Sequence, residues 1–258
     1  MQLITQERVG QVMILTLNRE DRMNALSFPL LLELSQTLET LIDDADARVL
    51  IITGAGDRAF CAGADLKERL GMSEVETRRY IRTIRETFVK VENFPRPTLA
   101  MINGLALGGG CELSLACDLR MMSRSARIGL TETRLAIIPG AGGTQRLPRL
   151  IGKGRAKELI FTGRQLDAQS AYDIGLVERI VEPEALRTTA LALADEICLA
   201  GPLALVQAKF AIDHGLEVGL ADGLAIEGKA YEVLLPTQDR REALEAFSQK
   251  RKPNFQGR

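Results

Sequence analysis

The 258-residue sequence has no tryptophan, a single histidine, and four cysteines with no CxxC pair among them. One histidine and scattered cysteines leave almost nothing with which to build a zinc site, so no metal is expected. A Ser-His-Asp triad would have to recruit His214, which ends a helical run, and no GxSxG elbow supplies its serine. Cys61, Cys111, Cys117 and Cys198 read as buried, reduced thiols. Two phosphate-binding loops are also missing: GxGxxG after a strand, and GxxxxGK[ST]. The formal net charge is only −1. It gives no general attraction to nucleic acid or to an anionic membrane. No apolar run reaches the roughly 18 residues of a membrane span. The first residues, MQLITQERVGQVMILTLN, read as a pair of strands rather than a targeting peptide, so a cytoplasmic enzyme is expected.

The chain is 46% hydrophobic. A single domain of this length buries roughly 70–75% of its unfolded surface, enough to stand without disulfides. In the first half, strand-like runs alternate with helical ones. VMILTLN (12–18), RVLIITG (48–54), PTLAMING (97–104), LRMMS (119–123) and ARIGL (126–130) read as strands. FPLLLELSQTLETLI (28–42) and the stretch 73–94 read as helices, the second opened by a capping box of Ser73 and Glu76. Later runs at 154–163 and 167–175 read as helices and 177–181 as a strand. The last segments, 185–201, 202–215, 219–235 and 238–251, are all helical. Alternation of this kind predicts an α/β core of about 200 residues with parallel strands and an appended helical tail.

Three stretches carry chemistry. In GLALGGGCE (104–112), three glycines stand between a strand and a helix beginning at 111. The first N–H groups of a helix have no internal partner, and glycines let a ligand approach them. Such a terminus suits a phosphate or an oxyanion. In AFCAGADLKERL (59–70), Ala62, Gly63 and Ala64 form a second loop of small residues before a helical turn near Asp65. In IGLTETRLAIIPGAGGTQRLPRLIG (128–152), Glu132 follows a strand and precedes an apolar segment, LAIIPG. A carboxylate beside an apolar wall can be tuned toward acid–base work. Glu112 stands in the first turn of its helix in a similar setting. From the residues alone, the glycines equally suit a tight turn, and either glutamate suits a solvated first-turn position.

FCAGADLKE, NGLALGGGCELSLACD and TETRLAIIPGAGGTQRLPRLIG resemble the signatures of the enoyl-CoA hydratase (crotonase) family. The likeness continues through AKELIFTG, AYDIGLVERIV and FSQKRKPNF, and it is closest to methylglutaconyl-CoA hydratase-like members. It implies an α/β fold: a crotonase-like spiral of ββα turns, with a catalytic core over 1–200 and a C-terminal helical segment over 201–258 for trimerisation and part of the CoA site. It also implies that the N–H groups of Ala64 and Gly109 hold a thioester carbonyl. Glu112 would orient and activate water, and Glu132 would deliver the α-proton. CoA contacts would fall at Arg22, Ala25, Ala62, Asp65, Leu66, Lys67, Phe247 and Lys250. No cofactor is implied beyond the CoA of the substrate, and homotrimers stacked as hexamers are expected. Keeping both glutamates favours hydration of an enoyl-CoA over isomerisation, the alternative within the family. One relative binds RNA through a lysine-rich helix, but the matching stretch 27–47 has no lysine or arginine. RRYIRTIRE (78–86) mixes both signs of charge, as a solvated helix face does, so nucleic acid is not an expected partner.

Overall fold

The structure, a computed structural model, describes residues 2–258. Ile4–Val9 (β1) and Val12–Leu17 (β2) pair antiparallel through a turn at Gly10, whose φ is +58°. Phe28–Ile42 (α1) is capped by the Ser27 hydroxyl and buries Leu30, Leu31, Leu34, Leu38 and Leu41 on one stripe. Val49–Gly54 (β3) is buried at every position, as a parallel strand covered on both faces should be. Ala59–Cys61 (β4) and Leu66–Leu70 (α2) follow. Glu74–Glu92 (α3) opens with the expected reciprocal capping box of Ser73 and Glu76. Next come Thr98–Ile102 (β5), Leu105–Leu107 (β6), Gly109–Ala116 (α4), Leu119–Ser123 (β7) and Arg127–Gly129 (β8). A 3-10 turn at Glu132–Leu135 leads to Gly143–Ile151 (α5), Lys153–Thr162 (α6), Leu166–Asp167 (β9), Ala168–Asp173 (α7) and Arg179–Val181 (β10). The remaining helices are Leu186–Cys198 (α8), Pro202–Gly215 (α9), Leu220–Leu234 (α10) and Gln238–Ser248 (α11).

The strands form two sheets. One has the order β1-β2-β3-β5-β7-β10 and is parallel beyond its first pair; the other has the order β4-β6-β8-β9. Successive strands are dealt alternately between them. β3 and β4, then β5 and β6, then β7 and β8 each place one strand in each sheet before the chain turns into helix. This is the repeated ββα spiral. Its consequence for chemistry lies in the second sheet, where β4, β6 and β8 are parallel neighbours. Their carboxyl ends therefore share one edge, the place where ligands collect in open parallel sheets.

Contacts divide the chain into two compact units: residues 1–94 with 98–192, and 95–97 with 193–258. Both sheets belong to the first unit. In the second, α9 and α10 pack on each other, and the C-terminal residues return to α11. There the buried Asp239 carboxylate accepts from the N–H groups of Gln256 and Gly257 at 2.6 and 2.8 Å.

Arg120 on β7 is 5% exposed and closes the end of α4. Its guanidinium donates to the carbonyls of Ser114, Cys117 and Leu176, and it pairs with Glu178 at 2.5 Å. A cation at a helix C-terminus complements the dipole and donates to carbonyls of the last turn. Arg120→Ala is expected to lower unfolding free energy by about 2 kcal/mol or more, measured by denaturant titration. A loss below about 0.5 kcal/mol would show that the carbonyls find other donors.

Three features depart from sequence expectation. Leu105–Leu107 is a strand of the second sheet, not part of the connection to the glycines. Helix α4 starts at Gly109 instead of residue 111, so two of the three glycines are helical. The expected apolar segment after Glu132 ends in a loop that feeds α5, which the residues did not signal because Gly142, Gly143 and Pro148 all argue against helix.

Candidate active site

Each of the three glycines meets a different constraint. Gly108 has φ +52° and ψ −121°, a conformation open to glycine alone, and a Cβ there would lie 3.1 Å from Oε1 of Glu132. A Cβ on Gly109 would press on the Leu26 side chain at 2.9 Å and meet Ile84 at 3.5 Å. On Gly110 it would lie 2.0 Å from the Cys61 carbonyl, so α4 can pack against the end of β4 only with glycine there. Gly63, at φ +97°, lies equally close: its ideal Cβ would be 2.7 Å from the Leu107 carbonyl and 3.4 Å from the Gly109 nitrogen. The β4 and β6 exits are thus pressed together, and the Ala64 nitrogen lies within 3.7 Å of where a Gly109 Cβ would stand.

Both N–H groups at this junction are left out of the internal ladder. Leu26 donates to the Gly63 carbonyl at 2.8 Å and accepts from the Asp65 N–H at 3.1 Å, a parallel bridge that passes over the N–H of Ala64 between them. Gly109 is the first residue of α4, where no intrahelical acceptor exists. Among the described residues neither N–H makes a main-chain bond in this junction. Two adjacent free donors, one at a helix N-terminus, make a site for an oxygen that gains negative charge.

Glu112, one turn into α4, is 2% exposed. Its Oε1 accepts from the N–H groups of Ala141 and Gly143 at 2.7 and 2.8 Å. Burial pushes its carboxyl above the usual range, against the pull of those two bonds and of Arg146 and Arg85. Glu132 heads the 3-10 turn at the exit of β8. Its Oε2 is buried without a hydrogen-bond partner. Burial first, and the charge of Glu112 second, push its carboxyl up to about 7. Two buried carboxyls that feel each other's charge resist ionising together, a pattern suited to acid–base chemistry.

These groups line one cavity of about 120 Å³. Its wall holds Ala62, Gly63, Ala64, Gly109, Glu112 and Glu132, with Leu66 at one side. The apolar wall expected after Glu132 is present as Leu135, Ile137 and Ile138, joined by Ile81 and Ile84 from α3. Sequence reasoning missed Arg69 and Tyr80. The Tyr80 hydroxyl donates to the Leu26 carbonyl at 2.8 Å, and the Arg69 guanidinium lies 5.7 Å from the centre of the Tyr80 ring. They stand on two different helices with a loop between, which left no local signal.

The other residues named for CoA lie elsewhere. Arg22 stands beside Asp21 at 3.4 Å, half exposed, and Ala25 is buried. The Asp65 carboxylate caps α2 through the N–H groups of Lys67 and Glu68 and pairs with Arg19 at 2.9 Å, so it organises the loop. Lys67 is exposed on α2. Phe247 is 86% exposed and Lys250 also faces solvent, both in the second unit. Of the cysteines, Cys61, Cys111 and Cys117 are buried, and burial pushes the Cys61 thiol up to about 12, which leaves it inert. His214 falls in the last turn of α9 against Phe210.

The enoyl-CoA hydratase/isomerase family model matches residues 7–258. A Bacillus subtilis (strain 168) protein named as an enoyl-CoA hydratase/isomerase, YngF, is 52% identical over 244 residues, 95% of this chain and 94% of the other. The mitochondrial methylglutaconyl-CoA hydratase of Homo sapiens is 48% identical over 250 residues, 95% of this chain and 74% of that protein. A crystal structure of enoyl-CoA hydratase from Bacillus anthracis superposes with a TM-score of 0.98 at 53% identity, covering 100% of both chains. With the ββα spiral, the paired main-chain donors and the full-length match in agreement, the chain belongs to the enoyl-CoA hydratase/isomerase family, the crotonases.

Proposed function

We propose that this protein adds water across the 2,3 double bond of an enoyl-CoA thioester. The observation that carries the reading is the meeting of two free main-chain donors with two coupled carboxylates in one cavity. The thioester oxygen accepts from the N–H groups of Ala64 and Gly109. Ionised Glu112 takes a proton from water as the water oxygen bonds to C3. The π electrons move onto the thioester oxygen, where the two donors stabilise the enolate. Collapse of the enolate takes a proton at C2 from Glu132, protonated because its carboxyl is held near 7. Hydration should therefore slow as pH rises above about 7 and Glu132 loses that proton. An isomerase needs only one group to shuttle a proton, so the second carboxylate favours hydration.

The CoA moiety is assigned to Arg22, Ala25, Ala62, Asp65, Leu66 and Lys67, where exposed Lys67 offers a point charge for phosphate. A trimer-based assembly accords with the apolar side chains that the second unit exposes, among them Leu199, Leu216, Leu220 and Phe247 at 70, 80, 79 and 86%.

For the acyl group, Arg69 is the informative residue. It is the one cation in the cavity wall and forms no ion pair among the described residues. An acyl chain ending in a carboxylate, as in methylglutaconyl-CoA, would supply the missing anion. The test is a panel of crotonyl-, longer enoyl-, methylcrotonyl- and methylglutaconyl-CoA ranked by kcat/KM. Arg69→Gln is expected to raise KM for methylglutaconyl-CoA by at least about tenfold and leave crotonyl-CoA within about twofold. An equal loss on both substrates would assign Arg69 to the fold instead.

A further inference from the structure

The loop between the 3-10 turn and α5 holds Glu112 from within and is itself held from outside. Inside, the N–H groups of Ala141 and Gly143 grip Oε1. Outside, Arg85 on α3 donates from Nε to the Gly140 carbonyl at 2.5 Å, and Arg146 on α5 donates from Nη1 to the Ala141 carbonyl at 2.9 Å. The Gly140 carbonyl and the Ala141 N–H belong to one peptide group. That group is thus sandwiched between a guanidinium and a carboxylate, and each bond polarises the other. Arg146 is fixed in turn by a fork to Glu92 on α3, at 2.8 and 2.6 Å, with only 15% of its side chain exposed. The loop sequence is cut to fit: a Cβ on Gly142, whose φ is +112°, would lie 2.0 Å from Nη1 of Arg146, and one on Gly143 would lie 3.0 Å from Oε1 of Glu112.

We infer that Arg85 and Arg146 are positioning residues for the Glu112 carboxylate: by pinning the outward carbonyls of residues 140 and 141 they aim two N–H groups at Oε1 and hold the carboxylate in place. Neither arginine lines the cavity, so neither touches substrate. The inference rests on Glu112 acting as the base in this cavity. The titratable groups around it are Cys111 on its own helix, Arg85 on α3, Glu132 on the 3-10 turn and Arg146 on α5 with its partner Glu92, and Arg69 on α2 and Tyr80 on α3 share its cavity. Burial pushes the Cys111 thiol well up, so it stays uncharged, and removing either arginine leaves Glu112 with only the other one and Arg69 for positive charge.

The experiment is steady-state hydration of crotonyl-CoA by full-length Arg85→Gln and Arg146→Gln variants across pH, each also combined with Glu112→Gln. Each arginine variant is expected to lose at least about tenfold in kcat, keep KM within about twofold, and show the acid limb of its kcat profile displaced to higher pH. In the Glu112→Gln background the same substitutions should cost less than about twofold, because the carboxylate they serve is gone. Arg85 is exposed, so its substitution leaves the fold intact and decides the matter even where Arg146→Gln melts. Unchanged kcat and acid limb in Arg85→Gln, or an undiminished loss in the Glu112→Gln background, would overturn the positioning role. Near-normal turnover of Glu112→Gln alone would remove the base itself, a separate and visible failure.

Discussion

Glu112→Gln and Glu132→Gln are each expected to lower kcat for hydration at least about 100-fold while leaving the affinity for a CoA thioester nearly unchanged. The amide matches the carboxyl in shape. At 112 it can still accept from Ala141 and Gly143 through its oxygen, so the loop keeps its conformation. At 132 it replaces a carboxyl held near 7, which is about half protonated at neutral pH, so local charge changes only in part. The 112 variant loses the basic oxygen that accepts the proton of water, and the 132 variant loses the acidic proton delivered to C2. The double variant should be little worse than either single one, since the two groups serve consecutive steps of one reaction and loss of either already stops it. The check is kcat and KM on crotonyl-CoA, with binding followed by titration of a saturated acyl-CoA. Turnover within about tenfold of the parent in either variant would remove that glutamate from the mechanism.

The second large effect separates a donor from the space around it. Gly109→Ala keeps the N–H and brings its Cβ against the Leu26 methyl, the free end of a flexible side chain. Activity should stay within about tenfold of the parent. Gly109→Pro occupies the same first helical position, which proline tolerates because no intrahelical bond is lost there. It deletes the donor, and loss of one such donor costs about 10²–10³ in rate. Thermal melting of the two variants should be similar, so the contrast in kcat isolates the hydrogen bond. Equal activities would mean that the thioester oxygen is held by something other than this N–H.

Much of this was legible because the fold's repeat is short and local. Periodicity gave α1, β3 and α3 nearly to the residue, since buried faces and caps are written in adjacent side chains. Small residues around 62–64 and 108–110 announced close backbone approach, and the packing explains each by a named neighbour. The place of Glu132 just after a strand and the apolar wall that follows it were also apparent. What stayed hidden is what depends on distant partners. Leu105–Leu107 is too short to show a period and is a strand only because β4 and β8 flank it. The donors to Glu112 come 29 and 31 residues downstream, and the arginine that braces them from α3 is 55 residues from the carbonyl it holds. No spacing rule joins such positions; only the spiral does. The acyl-group reading has the same character, since Arg69 is an ordinary helix residue until its helix is seen to close the cavity.

The central claim is that water is added at C3 under paired main-chain donors, with two glutamates exchanging the protons. Turnover of crotonyl-CoA in oxygen-18 water, followed by mass spectrometry of the product, tests it most directly. The account predicts a 3-hydroxyacyl-CoA with one heavy oxygen at C3, its thioester intact and the conjugated enoyl absorbance lost. An unlabelled thioester with its double bond moved, or free CoA with the label in a carboxylate, would contradict it.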